Sequence, residues 1–286
     1  MIYEHEIPSG ARLYFGKSAK LKRAIEHYAS EVLSAEGYEE IVTPYFSYES
    51  HQIEGGAGLI RFSGEGNQRL VLRHDSSLDV ARLITKRLGR TTAHRRWFYI
   101  QPVFRYPAHE IYQIGVEILE QEELAPLLEQ ALSIVRHFGI SPVIQLSDPR
   151  IVSFLEKKIG LRKHELTPNA LRDHQGIPSW VRELVWGADA TIFKEMITTS
   201  KLPQELSDLL TPLVMLAEAC GGRIEALAYA SMAYYNGPFF RLIAGNETLA
   251  MGGCYDADEG KAAGFALYLD AMIHVITTEQ KDNDAR

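Results

Sequence analysis

Between Tyr99 and Glu117 the chain reads YIQPVFRYPAHEIYQIGVE, and this stretch restricts the fold more than any other. Branched and aromatic residues fill two runs, and Pro and polar residues separate them. That is the pattern of two strands joined by a tight turn, here expected at Pro107-Ala108-His109-Glu110. Successive side chains on a strand point to opposite faces. Gln101, Val103 and Arg105 therefore share one face of the first strand, and Gln113, Gly115 and Glu117 share one face of the second. If the polar faces coincide, an arginine, a glutamine and a glutamate stand together over a sheet, as a polar pocket would need. The alternative is a half-exposed sheet whose outer face is wet.

The chain has 286 residues, enough for one large domain or one with a small insertion. Lys plus Arg number 30 and Asp plus Glu 37, a net charge of -7, which argues against generic binding of nucleic acid or anionic membrane. The two cysteines, Cys220 and Cys254, form no CxxC spacing, and the histidines show no HxxxH-type pairing. Neither a disulfide framework nor a metal site is expected, and no cofactor motif is present. Reduced cysteines, an acidic start (MIYEHEIPSG) without a signal-like apolar run, and no stretch of about 18 apolar residues predict a cytoplasmic protein.

Three-four spacing of Leu21, Ala24, Ile25, Tyr28, Val32 and Leu33 predicts a helix over 18–36, capped by Ser18 and closed by Gly37. A strand ending at Pro44, a Gly-rich loop or loose hairpin over 51–68, a strand RLVLR and a helix over 76–88 follow. Beyond the central hairpin come a helix over 121–138 and a strand PVIQLSD. Residues 148–222 read as mostly helical, with Trp180 and Trp186 as core residues. Two strand candidates, PFFRLIAG and ETLAMGGCYD, precede a final helix from about Ala262 to Ile276. This order implies an α+β fold around a mostly antiparallel sheet of about six strands. The expected organisation is a core in two parts, 1–147 and 223–286, interrupted by a helical insertion at 148–222. A doubly wound sheet is disfavoured, because no GxGxxG follows a strand and no P-loop is present. Five Lys/Arg and one His crowd KRLGRTTAHRRW (86–97), which reads as a solvated helix end or as a contact for phosphate or an acidic partner.

Six segments in order, LSAEGYEEIVTP, LRHDSSLDVARL, FRYPAHEIYQIGVE, AYYNGPFF, MGGCYD and AAGFALYLD, resemble the catalytic core of class II aminoacyl-tRNA synthetases, specifically histidyl-tRNA synthetase. The resemblance runs from about Ile7 to Ile276 and implies that family's antiparallel sheet flanked by helices. It also implies a twofold dimer through the 18–36 helix and the strand ending at Pro44. Asp75 and Ser77 match the Glu and Thr of its L-R-P-E-G-T stretch, Arg105, Gln113 and Glu117 match motif 2, and Tyr234 and Tyr235 match its tyrosine pair. The resemblance thus implies a histidine-binding pocket, in which a carboxylate suits an α-ammonium and tyrosines suit an imidazole.

The departures bear on activity. Ala271 stands where motif 3 has the arginine for the ATP γ-phosphate, and Tyr268 where a glycine leaves room for adenine. Ala230 and Cys254 replace two further arginines, and the motif 2 loop has shrunk to a turn. Amino-acid activation depends on cations placed around a phosphate, so no catalytic residues are assigned. No anticodon-binding domain is expected after motif 3. A synthetase-like core without these parts resembles the regulatory subunits of ATP phosphoribosyltransferase. That resemblance implies a non-catalytic protein that activates a short-form catalytic subunit, as a homodimer within a hetero-oligomer, and transmits feedback by histidine. Two rivals are an adenylate-forming enzyme that activates histidine or another carboxylate, and a histidine-binding scaffold for some other partner.

Overall fold

A computed structural model describes residues 3–51, 58–167, 169, 171, 176–187, 189–228, 234–257 and 260–284. Helix α1 (Gly16–Ala35) starts two residues before the expected Ser18. Ser18 sits inside its first turn and accepts the Phe15 N–H at 3.2 Å, so it caps from within. Gly37, at φ +82°, closes the helix, and the Tyr38 N–H returns to Leu33 O at 3.1 Å. Strands follow as β1 (Glu39–Glu40), β2 (Phe46–Tyr48), β3 (Arg61–Ser63) and β4 (Arg69–Leu72), then α2 (Ser76–Arg82). The expected central hairpin is β5 (Arg96–Arg105) and β6 (His109–Leu119), turning at 106–108, one residue earlier than expected. After α3 (Leu124–His137) and β7 (Val143–Ser147) come α4 (Pro149–Ile159), α5 (Ser179–Trp186), α6 (Ala190–Thr198) and α7 (Gln204–Cys220). The chain then forms β8 (Arg223–Ile224), β9 (Tyr235–Ala244), β10 (Glu247–Ala257), β11 (Gly260–Tyr268) and α8 (Leu269–Asp284).

Eight strands make one sheet in the order β1-β5-β6-β11-β10-β9-β7-β8. Its six central strands are antiparallel, and the two-residue edges β1 and β8 join in parallel. Strands β2, β4 and β3 form a second, small sheet. The fold is α+β with the class expected.

Strand alternation divides the large sheet into two faces. On one, Ile114, Val116, Phe240, Leu242, Phe265 and Leu267 pack beneath Ile25 and Leu33 of α1 and Leu127, Leu128 and Ile134 of α3. Leu155, Val181, Phe193 and Leu210 of α4–α7 belong to this same core, continuous with Leu146 and Phe240. Every regular element among the described residues of 148–222 is helical. Trp180 packs near Phe154, with ring centroids 6.3 Å apart. Trp186 departs from its expected core position: it is 57% exposed at the end of α5. The other face carries Trp97, Tyr99, Met251, Tyr255 and Ala262, covered in part by Val80, Ala81 and Ile84 from α2 and the turn after it.

One element was misread from sequence. The helix expected from Ala262 begins only at Leu269, because Gly260–Tyr268 is the strand β11 between β6 and β10. A central strand covered on both faces loses its polar alternation, so AAGFALY looks like a buried helix.

The two faces also explain Gly115. A Cβ at this position would lie 2.0 Å from the Tyr99 ring, which crosses the neighbouring strand there. Gly115→Ala is expected to destabilise the fold by about 1–3 kcal/mol, the usual cost of overpacking. Urea denaturation checks this: the midpoint should fall while the slope stays that of wild type.

Candidate functional site

Register carries the polar pocket. In the β5–β6 pair Gln101 lies opposite Gln113 and Arg105 opposite His109, so the two polar faces do coincide. One row across the sheet runs Trp97, Glu117, Gly264, Gly253 and Phe239. The next is Tyr99, Gly115, Ala266, Met251 and Arg241, and on the other side of the Glu117 row lie Leu119, Ala262, Tyr255 and Tyr235. Glu117 is thus a fully buried carboxylate on a floor of small residues. A Cβ at Gly264 would sit 2.2 Å from Glu117 Oε2, so only glycine leaves room for it.

The Tyr255 hydroxyl donates to Glu117 Oε2 at 2.6 Å. Glu117 Oε1 is buried and has no hydrogen-bond partner among the described residues. Burial pushes the Glu117 pKa up to about 8; the nearby Ser77 and Tyr255 hydroxyls oppose that shift, and the nearby Asp75 adds to it. Asp75 caps α2, accepting the Leu78 N–H at 3.2 Å, and the Tyr234 hydroxyl approaches its Oδ2 at 3.4 Å. Burial raises the Asp75 pKa as well, against the pull of the Leu78 N–H and the Arg105 charge. Tyr99, Tyr234, Tyr235 and Tyr255 are raised well above the phenol's ordinary value, chiefly by burial, and remain hydrogen-bond donors at neutral pH. The rings of Tyr234 and Tyr235 lie 5.0 Å apart, and those of Tyr234 and Tyr255 5.4 Å. The result is a tyrosine cage around two carboxyl groups, suited to a ligand that brings N–H donors and positive charge.

The loop bearing Asp75 is held from behind. The Arg73 guanidinium is fully buried and donates to Thr43 O at 2.9 Å, Pro44 O at 3.3 Å and Pro102 O at 2.6 Å. Gln101 Nε2 donates to Thr43 Oγ1 at 3.0 Å and Ser76 Oγ at 3.2 Å, while its Oε1 accepts the Thr43 N–H at 3.2 Å. The segment ending at Pro44, the Asp75 loop and β5 are therefore one hydrogen-bonded unit.

Of the sequence-predicted residues, Asp75, Ser77, Glu117, Tyr234 and Tyr235 converge on the cage. Gln113 is buried on the same face, in the row of Gln101 and Tyr268. Arg105 lies farther along, in an adjoining cleft of about 650 Å³ lined also by Arg12, Tyr268, Asp270, Ala271 and His274. Its Nε is buried without a hydrogen-bond partner among the described residues. In this cleft the Asp270 carboxylate is occupied by the Tyr14 hydroxyl and, at 3.0 Å, the Tyr112 N–H. Ala230 falls outside the described residues. Cys254 does not bear on the pocket: its side chain lies on the helix-covered face, with Sγ 3.2 Å from Glu122 O. An arginine there would extend away from the cage. Sequence reasoning missed Tyr99, Tyr255 and Gly264 as parts of the site, and set Gln101 on the right face without assigning it a role. Tyr99 and Gln101 share the alternation face of Arg105, which was the available signal.

A family model described as histidyl-tRNA synthetase matches residues 13–272. A protein from Wolinella succinogenes named ATP phosphoribosyltransferase regulatory subunit is 44% identical over 280 residues, covering 96% of this chain and 97% of the relative. One of the same name from Helicobacter hepaticus is 35% identical, covering 96% and 99%. A solved structure from Bacillus halodurans C, described as an ATP phosphoribosyltransferase regulatory subunit/histidyl-tRNA synthetase, superposes with a TM-score of 0.76 at 19% identity, covering 96% of this chain and 84% of that one. With its histidyl-tRNA synthetase-like core and two full-length relatives of that name, the chain belongs to the ATP phosphoribosyltransferase regulatory subunit family.

Proposed function

We propose that this protein is a non-catalytic, cytoplasmic subunit that binds and activates a separate short-form ATP phosphoribosyltransferase catalytic subunit and relays inhibition by histidine. Full-length identity of 44% to a protein named as that regulatory subunit carries the reading. The site agrees with it. The amino-acid end of the pocket keeps its carboxylates and tyrosines, whereas the adjoining cleft has Tyr268 across its wall and Ala271 where a phosphate-binding cation would stand. Without positioned cations, negative charge building on a transferring phosphoryl group is not stabilised. Leu13, Phe15 and Val42 are exposed, Val42 to 78%, and supply an apolar face through which α1 and the segment before Pro44 would pair with a second copy. The core would be 1–147 with 223–286, and 148–222 its helical insertion.

Histidine would enter the cage with its α-ammonium on the unpartnered Glu117 Oε1 and its imidazole against Tyr234 and Tyr235. Asp75, Ser77 and Gln113 would complete the contacts, and Arg105 would face the carboxylate. Glu117 must ionise to accept an ammonium, and a pKa of about 8 keeps it protonated at neutral pH. Binding therefore expels a proton, and histidine affinity should climb about tenfold per pH unit below that pKa.

Three measurements follow. Mixed with the catalytic subunit from the same source, the protein should co-elute as a hetero-oligomer and raise turnover; separate elution at micromolar concentration would favour a scaffold for another partner. Histidine-dependent ATP–pyrophosphate exchange should stay at background, and a clear signal would establish the adenylate-forming rival instead. In calorimetric titration of the complex, Glu117→Ala should weaken histidine binding about tenfold or more, since losing a charge-assisted hydrogen bond costs about 1.5–3 kcal/mol. Unchanged affinity in both Glu117→Ala and Asp75→Ala would move the feedback site elsewhere.

A further inference from the structure

The basic stretch that follows α2 is not used by the pocket or by the proposed pairing face. After Arg82 the helix widens into a π-helical turn, Leu83–Leu88, and this turn forms one wall of a separate cleft of about 630 Å³. Arg82, Lys86, Arg87 and Arg90 line it. Arg82 donates to Asp79 at 3.1 Å, which cancels the acidic residue in the wall. Arg87 and Arg90 are exposed and have no ion-pair partner among the described residues. Tyr48 at the end of β2 also lines the cleft and is 48% exposed. The preceding Ser47 turns inward to Asp79 at 3.4 Å, so strand alternation directs Tyr48 outward. In a chain of net charge -7, four basic side chains thus line one concavity, beside an aromatic ring.

We infer that this cleft binds a small polyphosphate-bearing anion, with its phosphates on Arg87 and Arg90 and any attached base against Tyr48. Three features favour this over docking of an acidic protein surface. The site is concave, and its volume falls within the ordinary range for small ligands. Guanidinium forks match phosphate oxygens in pairs, and two of them at a spacing of three residues can engage successive phosphates. An exposed aromatic ring offers a stacking platform that every nucleobase can use. Its lining residues are not those of the Glu117 cage, so the histidine and anion sites would be separable by mutation.

Calorimetric titration of the full-length protein with tripolyphosphate, ATP and adenosine tests the inference. Tripolyphosphate and ATP should bind more tightly than about 1 mM, more weakly as salt is added, and adenosine should not bind. ATP tighter than tripolyphosphate identifies a nucleotide ligand, and equal affinities identify a free polyphosphate; either supports the site. The double variant Arg87→Ser, Arg90→Ser should lose at least about tenfold in anion affinity while histidine affinity and oligomeric state stay those of wild type. Arg87→Lys, Arg90→Lys should retain part of the affinity, and Arg105→Ala should leave it unchanged. The inference is overturned if neither anion binds at about 1 mM, or if the serine variant binds as wild type. It is likewise overturned if Arg105→Ala alone abolishes binding. Loss of co-elution with the catalytic subunit in the serine variant, with no anion bound by wild type, would assign the patch to protein docking instead.

Discussion

A carboxylate buried at the centre of a β-sheet is the constraint from which the site follows. Glu117 has no exposed surface, and an unpaired charge there would be very costly. Three features make the position tenable. Gly264 lies beside it in its row and leaves the space that a side chain would fill. Tyr255 donates to one oxygen. The group also holds its proton to about pH 8, so the empty pocket avoids the full cost of a charge. The remaining oxygen is buried and has no hydrogen-bond partner among the described residues, which leaves it able to meet a ligand in the proposed complex.

The buried Arg73 performs a different task with the same economy of groups. Its guanidinium binds backbone oxygens of Thr43, Pro44 and Pro102, and no carboxylate is among these partners. Burial lowers its pKa, and the planar fork still spans two segments that only the fold brings together. The Tyr45 ring lies 4.9 Å from this cation. Gln101 then carries the linkage through Thr43 to Ser76, next to Asp75. A change at the segment ending at Pro44, where a second copy is proposed to pack, therefore reaches the Asp75 loop through hydrogen bonds and not through loose apolar contacts. Such a unit has a defined arrangement, which is what a site needs if ligand binding is to bias an assembly.

Much of this was legible in the sequence because period-two alternation survives wherever one face of a strand is polar. Arg105, Gln113 and Glu117 could be placed on common faces for that reason, and the observed register brought those faces together. Strand β11 was illegible because both of its faces are covered, which removes the polar half of the signal. Tyr255 and Gly264 were missed for a related reason. Their importance lies in cross-strand neighbours far away in sequence, and a single chain read linearly does not show register. Cys254 shows the reverse error, since a motif position was given a role without asking which face it occupies.

Under the proposed function, the pocket and its adjoining cleft have different physical requirements. Recognising an amino acid takes a few fixed donors and acceptors whose partners are local to the cage. Tyr255, Ser77 and Tyr234 supply these to Glu117 and Asp75. Driving phosphoryl chemistry takes several cations held around a leaving group, each without effect when the others are absent. In the cleft Tyr268 and Ala271 stand near Arg105, and the Asp270 carboxylate is taken by internal contacts such as that with Tyr14. The cage bears no such dependence on the cleft. Burial raises the proton affinity of both carboxyl groups, and Asp75 adds to that of Glu117; in the proposed complex an incoming ammonium would offset this cost. The free energy of that offset is available only when ligand is present, so a binding site of this kind suits a sensor that needs no reaction to report on its ligand.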